Sequence, residues 1–175
     1  MQLRDKRLEA RPLLERARVA VRVCRDLGVP LILNDRPDLA LEAEADGAHV
    51  GQDDAPPSLA RLILGPDAII GYSTHAPAEL DASAAEAVDY VSVGPIVPTP
   101  TKPGRAGTGL DYVTYARDHA HHPFFVTGGV TPETVPAIAA AGATRFVVVR
   151  WLTEAADPGA NARSLREAID AVVAD

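Results

Sequence analysis

Short runs rich in β-branched and aliphatic residues alternate along this chain with longer segments whose apolar positions recur at helical spacing. The runs at 2–4, 30–34, 47–50, 68–72, 89–94, 124–127 and 145–149 read as strands. Between the first two, Leu14, Ala17, Val21 and Cys24 recur every three to four residues, while Arg16, Arg18, Arg22 and Arg25 occupy other faces. That pattern predicts an amphipathic helix ending near Gly28. Segments 57–64, 76–87, 110–119, 132–141 and 160–173 are helix-like as well, with Thr131 and Pro132 as an N-cap and first-position pair. A βαβα rhythm implies a parallel sheet.

The placement of polar residues separates the two common parallel architectures. Nearly every strand runs into chemically active residues: QLR into DK, LILN into D, AHV into GQDD, IIGY into STH, SVG into PTPTKPG and VT into GG. In a (β/α)8 barrel all strand ends converge on one face, where the active site is built. A doubly wound sheet needs only the strands at its switch point decorated. The reading is therefore α/β, a TIM (β/α)8-type barrel. With seven strands and the first beginning at residue 2, it is N-terminally truncated to about seven βα units, with residues 1–175 as a single domain.

Composition narrows the functional classes. A hydrophobic share of 47% and a charged share of 23% are ordinary globular values, and the length suffices for a proper core. The net charge of −7 argues against broad binding of nucleic acid or an anionic membrane, so an anionic small molecule has to be held by a local cationic site. The single cysteine, Cys24, excludes an internal disulfide and a multi-cysteine metal site, and fits a reducing cytoplasm. Its place on an apolar helical face makes it a core residue. No run approaches a membrane span, and MQLRDKRLEARP is too charged for a signal peptide.

Several polar groups then become candidates. Asn34-Asp35 and Gln52-Asp53-Asp54 put three carboxylates on adjacent loops, suited to Mg2+ held by few carboxylates plus phosphate oxygens. Taken alone, such acids are more often exposed loop caps. Arg4, Lys6 and Lys102 supply cations for a phosphate-rich ligand, whereas Arg7, Arg11 and Arg16 read as solvated surface. The long polar loop 98–109, with Lys102 near its middle, is of a length that is usually either functional or disordered. Gly128-Gly129 joins a strand to a helix and lets backbone N–H groups approach an anion there. Ser73 lacks a nearby acid in sequence and reads as a hydrogen-bond donor rather than a nucleophile. His49, inside a strand, reads as structural, and His119, His121 and His122 as a solvated loop.

Together the segments QLRDK (2–6), NDR (34–36), DGAHVGQDD (46–54), IIGYSTH (69–75), VGPIVPTPTKPG (93–104) and TGGVTPE (127–133) resemble the thiamine phosphate synthase family, in family order over almost the whole chain. The resemblance implies a transferase of alkyl groups other than methyl. In it, hydroxymethylpyrimidine diphosphate loses pyrophosphate dissociatively and a thiazole phosphate nitrogen captures the pyrimidine methylene carbon, giving thiamine phosphate. It assigns Mg2+ to Asp35 and Asp54, and the pyrimidine and its diphosphate to Gln2, Arg4, Lys6, Asn34, Ser73 and Lys102, of which Lys102, Ser73, Arg4 and Lys6 form the catalytic set. Thr99, Thr101, Gly129, Val149 and Arg150 are assigned to the thiazole phosphate, and the loop around Lys102 becomes a substrate flap. Family members normally carry a further strand and helix ahead of QLR and often a small residue at the position of Arg150, whose charge either strengthens or obstructs the phosphate site. By family analogy the partners are small molecules and a second copy in a homodimer. Two other readings stay open: a thiazole tautomerase of the same superfamily, which has less need of the metal acids and Lys102, and a non-catalytic fragment that binds thiamine precursors or regulates a partner.

Overall fold

The structure is a computed structural model in which residues 1–98 and 106–173 are described. Its strands follow one another in chain order, β1 (Gln2–Leu3), β2 (Ile32–Asn34), β3 (Gly47–Val50), β4 (Ile69–Thr74), β5 (Tyr90–Val93), β6 (Phe124–Thr127) and β7 (Phe146–Val147). Every pair for which register is defined is parallel: β1–β2, β2–β3, β3–β4 and β6–β7. The chain divides into two compact units, one of residues 1–73 with 85–91, the other of residues 74–84 with those from 92 onward.

In the first unit, helix α1 (Ala10–Asp26) turns Leu13, Ala17, Val21 and Cys24 onto Leu31, just before β2, and Leu33 within it. Leu13 takes the place expected for Leu14, which is only partly buried. Strand alternation then divides the residues between two faces. Leu31, Leu33, Ala48 and Val50 are fully buried core residues, so Ile32, Asn34, Gly47 and His49 lie on the opposite face. A short helix, α2 (Pro37–Glu42), follows β2, with Pro37 in its first turn and Leu39 and Ala40 buried. Six residues give too little periodicity to show in the sequence. On the flank of α1 that meets this helix, Arg18 pairs with Glu42 and Arg25 with Glu44. On its other flank Val19, Val23 and Leu27 are exposed. Helix α3 (Pro57–Leu64) packs on α2 and β3.

The second unit contains α4 (Pro77–Ser83), α5 (Gly109–His119), α6 (Val135–Ala140), α7 (Arg150–Thr153) and α8 (Pro158–Asp170). Helix α5 packs on α4, and α8 on α6 and α7, around Tyr112, Val113, Ala116, Val135, Ile138 and Leu165. Several boundaries differ from the sequence reading, among them the end of α4, which stops at Ser83 rather than at residue 87. The sixth helix begins at Val135 rather than at Pro132, because Thr134 Oγ1 accepts from Thr131 N at 2.9 Å and donates to the Gly129 carbonyl at 2.8 Å, a local pattern that competes with helix. Thr131 therefore does not cap it. The last strand stops at Val147, and Val149 (φ −122°, ψ −85°) leads into α7 instead of extending the strand. Helix α8 starts at Pro158, capped by Asp157, whose carboxylate accepts from Ala160 N at 2.9 Å.

Candidate active site

Register places the first group of polar side chains. His49 stands beside Asn34 on one side and Gly71 on the other, and by period-two alternation Ser73 shares the face of Gly71. Tyr90, at the start of β5, completes the group. His49 and Ser73 are almost fully buried. His49 Nε2 lies 2.9 Å from Ser73 Oγ and its Nδ1 lies 3.0 Å from the Tyr90 hydroxyl. Gly71 is what allows this: a Cβ there would fall on the His49 ring and the Tyr90 phenol. Burial pushes the Tyr90 phenol up to about 12, a hydrogen bond from Gln2 acting the other way. Gln52 caps the group, donating from Nε2 to the Ser73 carbonyl at 2.7 Å and accepting from the Tyr72 hydroxyl at 3.0 Å. Asn34 Nδ2 is buried with no hydrogen-bond partner among the described residues. An unpaired buried donor is costly unless something else satisfies it.

The carboxylates follow directly after these strands. Asp35 adopts a positive φ of 64°, donates its backbone N–H to the His49 carbonyl at 2.8 Å, and holds Lys6 Nζ at 2.8 Å from Oδ2. Asp54 is folded back by a hydrogen bond from Gly51 N to its Oδ2, 2.8 Å long. Burial, and after it a hydrogen bond with Asp35 and that group's charge, raises the Asp54 carboxyl above the ordinary carboxylate range, while Lys6 acts in the opposite direction. Two carboxylates thus share one spot with Lys6 beside them. Asp53 is exposed, so the three-acid cluster of the sequence reading reduces to a pair. No group of three or more His, Cys, Asp or Glu side chains suited to a metal occurs among the described residues. Arg4 is exposed just beyond β1.

In the second unit a cavity of about 290 Å³ is lined by Thr127, Gly128, Gly129, Val149, Arg150 and Trp151, among others. Gly129, Val149 and Arg150 are thereby brought together. Gly128 has φ 92°, and a Cβ on it would lie 2.6 Å from that of Pro95, so the residue must be glycine on two counts. Thr99, Thr101 and Lys102 lie outside the described residues.

The histidines divide differently from the solvated loop that the sequence suggested. His119 ends α5 and stacks on Tyr115 at 4.2 Å. His122, part-buried, lies 3.1 Å from the Ser83 carbonyl through Nε2, and His121 is exposed. His49 is tied to two side chains, which sequence reasoning missed. Its only sequence signal is a histidine two residues after Gly47, on the same strand face as that glycine.

Parallel strands in chain order, with polar side chains gathered where the strands end, define an α/β protein of the alternating strand and helix class. The family model described as thiamine monophosphate synthase matches residues 1–152, and the chain belongs to that family. A thiamine-phosphate synthase of Thermosynechococcus vestitus is 47% identical over 165 residues, which cover 94% of this chain and 47% of that protein. One of Mycolicibacterium smegmatis is 46% identical over 181 residues, covering 98% of this chain and 80% of its own length. The chain thus spans about half the length of some of these relatives and four-fifths of others. A solved thiamine phosphate pyrophosphorylase from Pyrococcus furiosus has the same fold, with a TM-score of 0.90 at 24% identity over 99% of this chain and 83% of that one.

Proposed function

We propose that this chain is a transferase that couples hydroxymethylpyrimidine diphosphate to thiazole phosphate, releasing pyrophosphate and forming thiamine phosphate. The observation that carries this reading is the Asp35–Asp54 pair with Lys6 at 2.8 Å. Crowded carboxylates beside one ammonium are a donor set that fits a hard divalent cation shared with phosphate oxygens. Mg2+ held there would offset charge on the departing diphosphate. Arg4, Lys6, Ser73 and Lys102 stabilise the same leaving group electrostatically as the methylene C–O bond breaks. Gln2 and Asn34 hold the pyrimidine, and the unsatisfied Asn34 Nδ2 supports that role with a donor that needs an acceptor. Thr99, Thr101, Gly129, Val149 and Arg150 hold the thiazole phosphate until its ring nitrogen bonds the methylene carbon. No side chain has to act as a nucleophile.

This reading includes a single barrel-type domain of about seven βα units over residues 1–175, a cytoplasmic location and assembly as a homodimer. No helix among the described residues is long and apolar enough to cross a membrane.

Calorimetric titration with inorganic pyrophosphate tests the metal assignment. Mg2+ is expected to tighten binding about tenfold or more, a difference of about 1.4 kcal/mol, and Asp35→Ala and Asp54→Ala are each expected to remove that gain. Equal affinity with and without the metal in all three proteins would contradict the assignment.

A further inference from the structure

We propose that Asn161 is a positioning residue for the thiazole phosphate: its paired hydrogen bonds with Trp151 fix the segment that carries Arg150 along the cavity of the second unit. The inference rests on the transferase reading above and adds to it two residues that the reading does not use.

The wall that needs fixing is α7. With four residues and no buried side chain, it has neither the length nor the core contacts that hold a helix in place. Within it, Thr153 N donates to the Val149 carbonyl at 2.9 Å and Glu154 N to that of Arg150 at 3.0 Å. The facing wall is held differently. Ile96 N donates to the Thr127 carbonyl at 2.9 Å, and a Cβ on Gly128 or Gly129 would crowd Pro95 or Val97. One side of the cavity is thus built from closely packed backbone, and the other depends on what grips α7 from outside.

That grip comes from α8. Trp151 Nε1 donates to the Asn161 carbonyl at 3.2 Å, and Asn161 Nδ2 donates back to the Trp151 carbonyl at 2.7 Å. The Trp151 carbonyl sits in the last turn of α7, where helical partners run out, and Ala155 N bonds the Leu152 carbonyl instead. Asn161 has a firm base. Its own N–H donates to the Asp157 carbonyl at 3.1 Å in the first turn of a 13-residue helix whose Leu165 is buried. With Trp151 reaching α8, Arg150 and Glu154, four residues apart, share a different face of the turn, and both line the cavity. Arg150 is the one basic residue among the described residues that line it, so the angle at which α7 is held decides where that charge meets a phosphate. The amide of Asn161 matters here, since an aspartate of the same shape would set oxygen against oxygen at the Trp151 carbonyl.

Calorimetric titrations of the full chain with thiazole phosphate, and separately with Mg2+-pyrophosphate, test this. They compare wild type, Asn161→Ala, Asn161→Asp, Arg150→Gln and the double variant of Asn161→Ala with Arg150→Gln, with thermal melts to show that each folds. Trp151 is the chain's only tryptophan, so its fluorescence reports on the same contact. Each Asn161 variant is expected to weaken thiazole phosphate binding about fivefold, the scale of one hydrogen bond, and to shift the tryptophan emission to the red, while pyrophosphate affinity stays at the wild-type value. Asn161→Ala should cost little further once Arg150 is glutamine. Should the Asn161 variants fail to fold, Trp151→Phe, which keeps a ring and loses the Nε1 donor, carries the same calorimetric expectation. Additive losses in the double variant, equal weakening of both ligands, or an unchanged affinity for thiazole phosphate would overturn the inference while leaving the transferase reading intact. Failure of the wild type to bind thiazole phosphate at all would overturn both.

Discussion

Asp54 carries a residue-scale consequence of the carboxylate pair. Its carboxyl is raised in the folded chain, first by burial and then by Asp35. A raised carboxyl binds its proton more tightly in the folded than in the unfolded state, so its contribution is fully favourable at pH values below the unfolded pKa. It is lost as pH rises through the folded one. At neutral pH the charge therefore weighs against the fold. Asp54→Asn, which keeps an oxygen for the Gly51 N–H, should raise the melting temperature at pH 7 and leave it unchanged at pH 3. Calorimetric melts at the two pH values check this, and a gain of equal size at both would mean that the effect is not electrostatic. The same substitution should abolish the metal-dependent gain in pyrophosphate affinity. The acids, Lys6 and Ser73 stood out as candidates in the sequence because each is expected just beyond a strand, and the structure places Ser73 inside β4. The hydrogen bonds of His49 did not, since one of them reaches a phenol 41 residues away that only the sheet brings close.

At the scale of elements, two aspartates perform the same task. Asp46, just before β3, donates its N–H to the Leu31 carbonyl and accepts the Leu31 N–H on Oδ2 at 2.7 Å. Asp89, just before β5, donates to the Ile70 carbonyl and accepts the Ile70 N–H at 2.7 Å, with Arg61 at 2.8 Å on the same oxygen. Each carboxylate closes a strand start whose N–H would otherwise be left unpaired beside the core. Asp89→Ala should destabilise the chain by about 1–3 kcal/mol in denaturant melts. A loss no larger than that of an exposed surface substitution would show that water replaces the carboxylate. Strand positions were readable to within a few residues from β-branched runs. The helices α2 and α7, of six and four residues, fell below what periodicity can register. The shift of α6 came from side-chain hydrogen bonds of Thr134 that no propensity records. Leu13 displaced Leu14 in the core because both fit a helical stripe, and only packing chooses between them.

For the whole molecule, alternation of strands and helices was enough to infer a parallel α/β fold, because each strand needs a crossover helix to bring the chain back in the same direction. Polar residues at successive strand ends made the gathering of polar side chains there legible too, whereas closure and assembly depend on surfaces that composition does not describe. With a net charge of −7, holding the two phosphorylated substrates proposed for this chain requires cations gathered locally. Arg4 and Lys6, before α1, and Lys102 are the residues to which the account assigns the diphosphate. The most direct test is to supply this chain with hydroxymethylpyrimidine diphosphate, thiazole phosphate and Mg2+, and to measure pyrophosphate and thiamine phosphate together. The account predicts the two products in equal amounts, dependent on the metal and reduced about 100-fold or more in Asp35→Ala. A folded protein that binds both substrates yet forms no thiamine phosphate would contradict it.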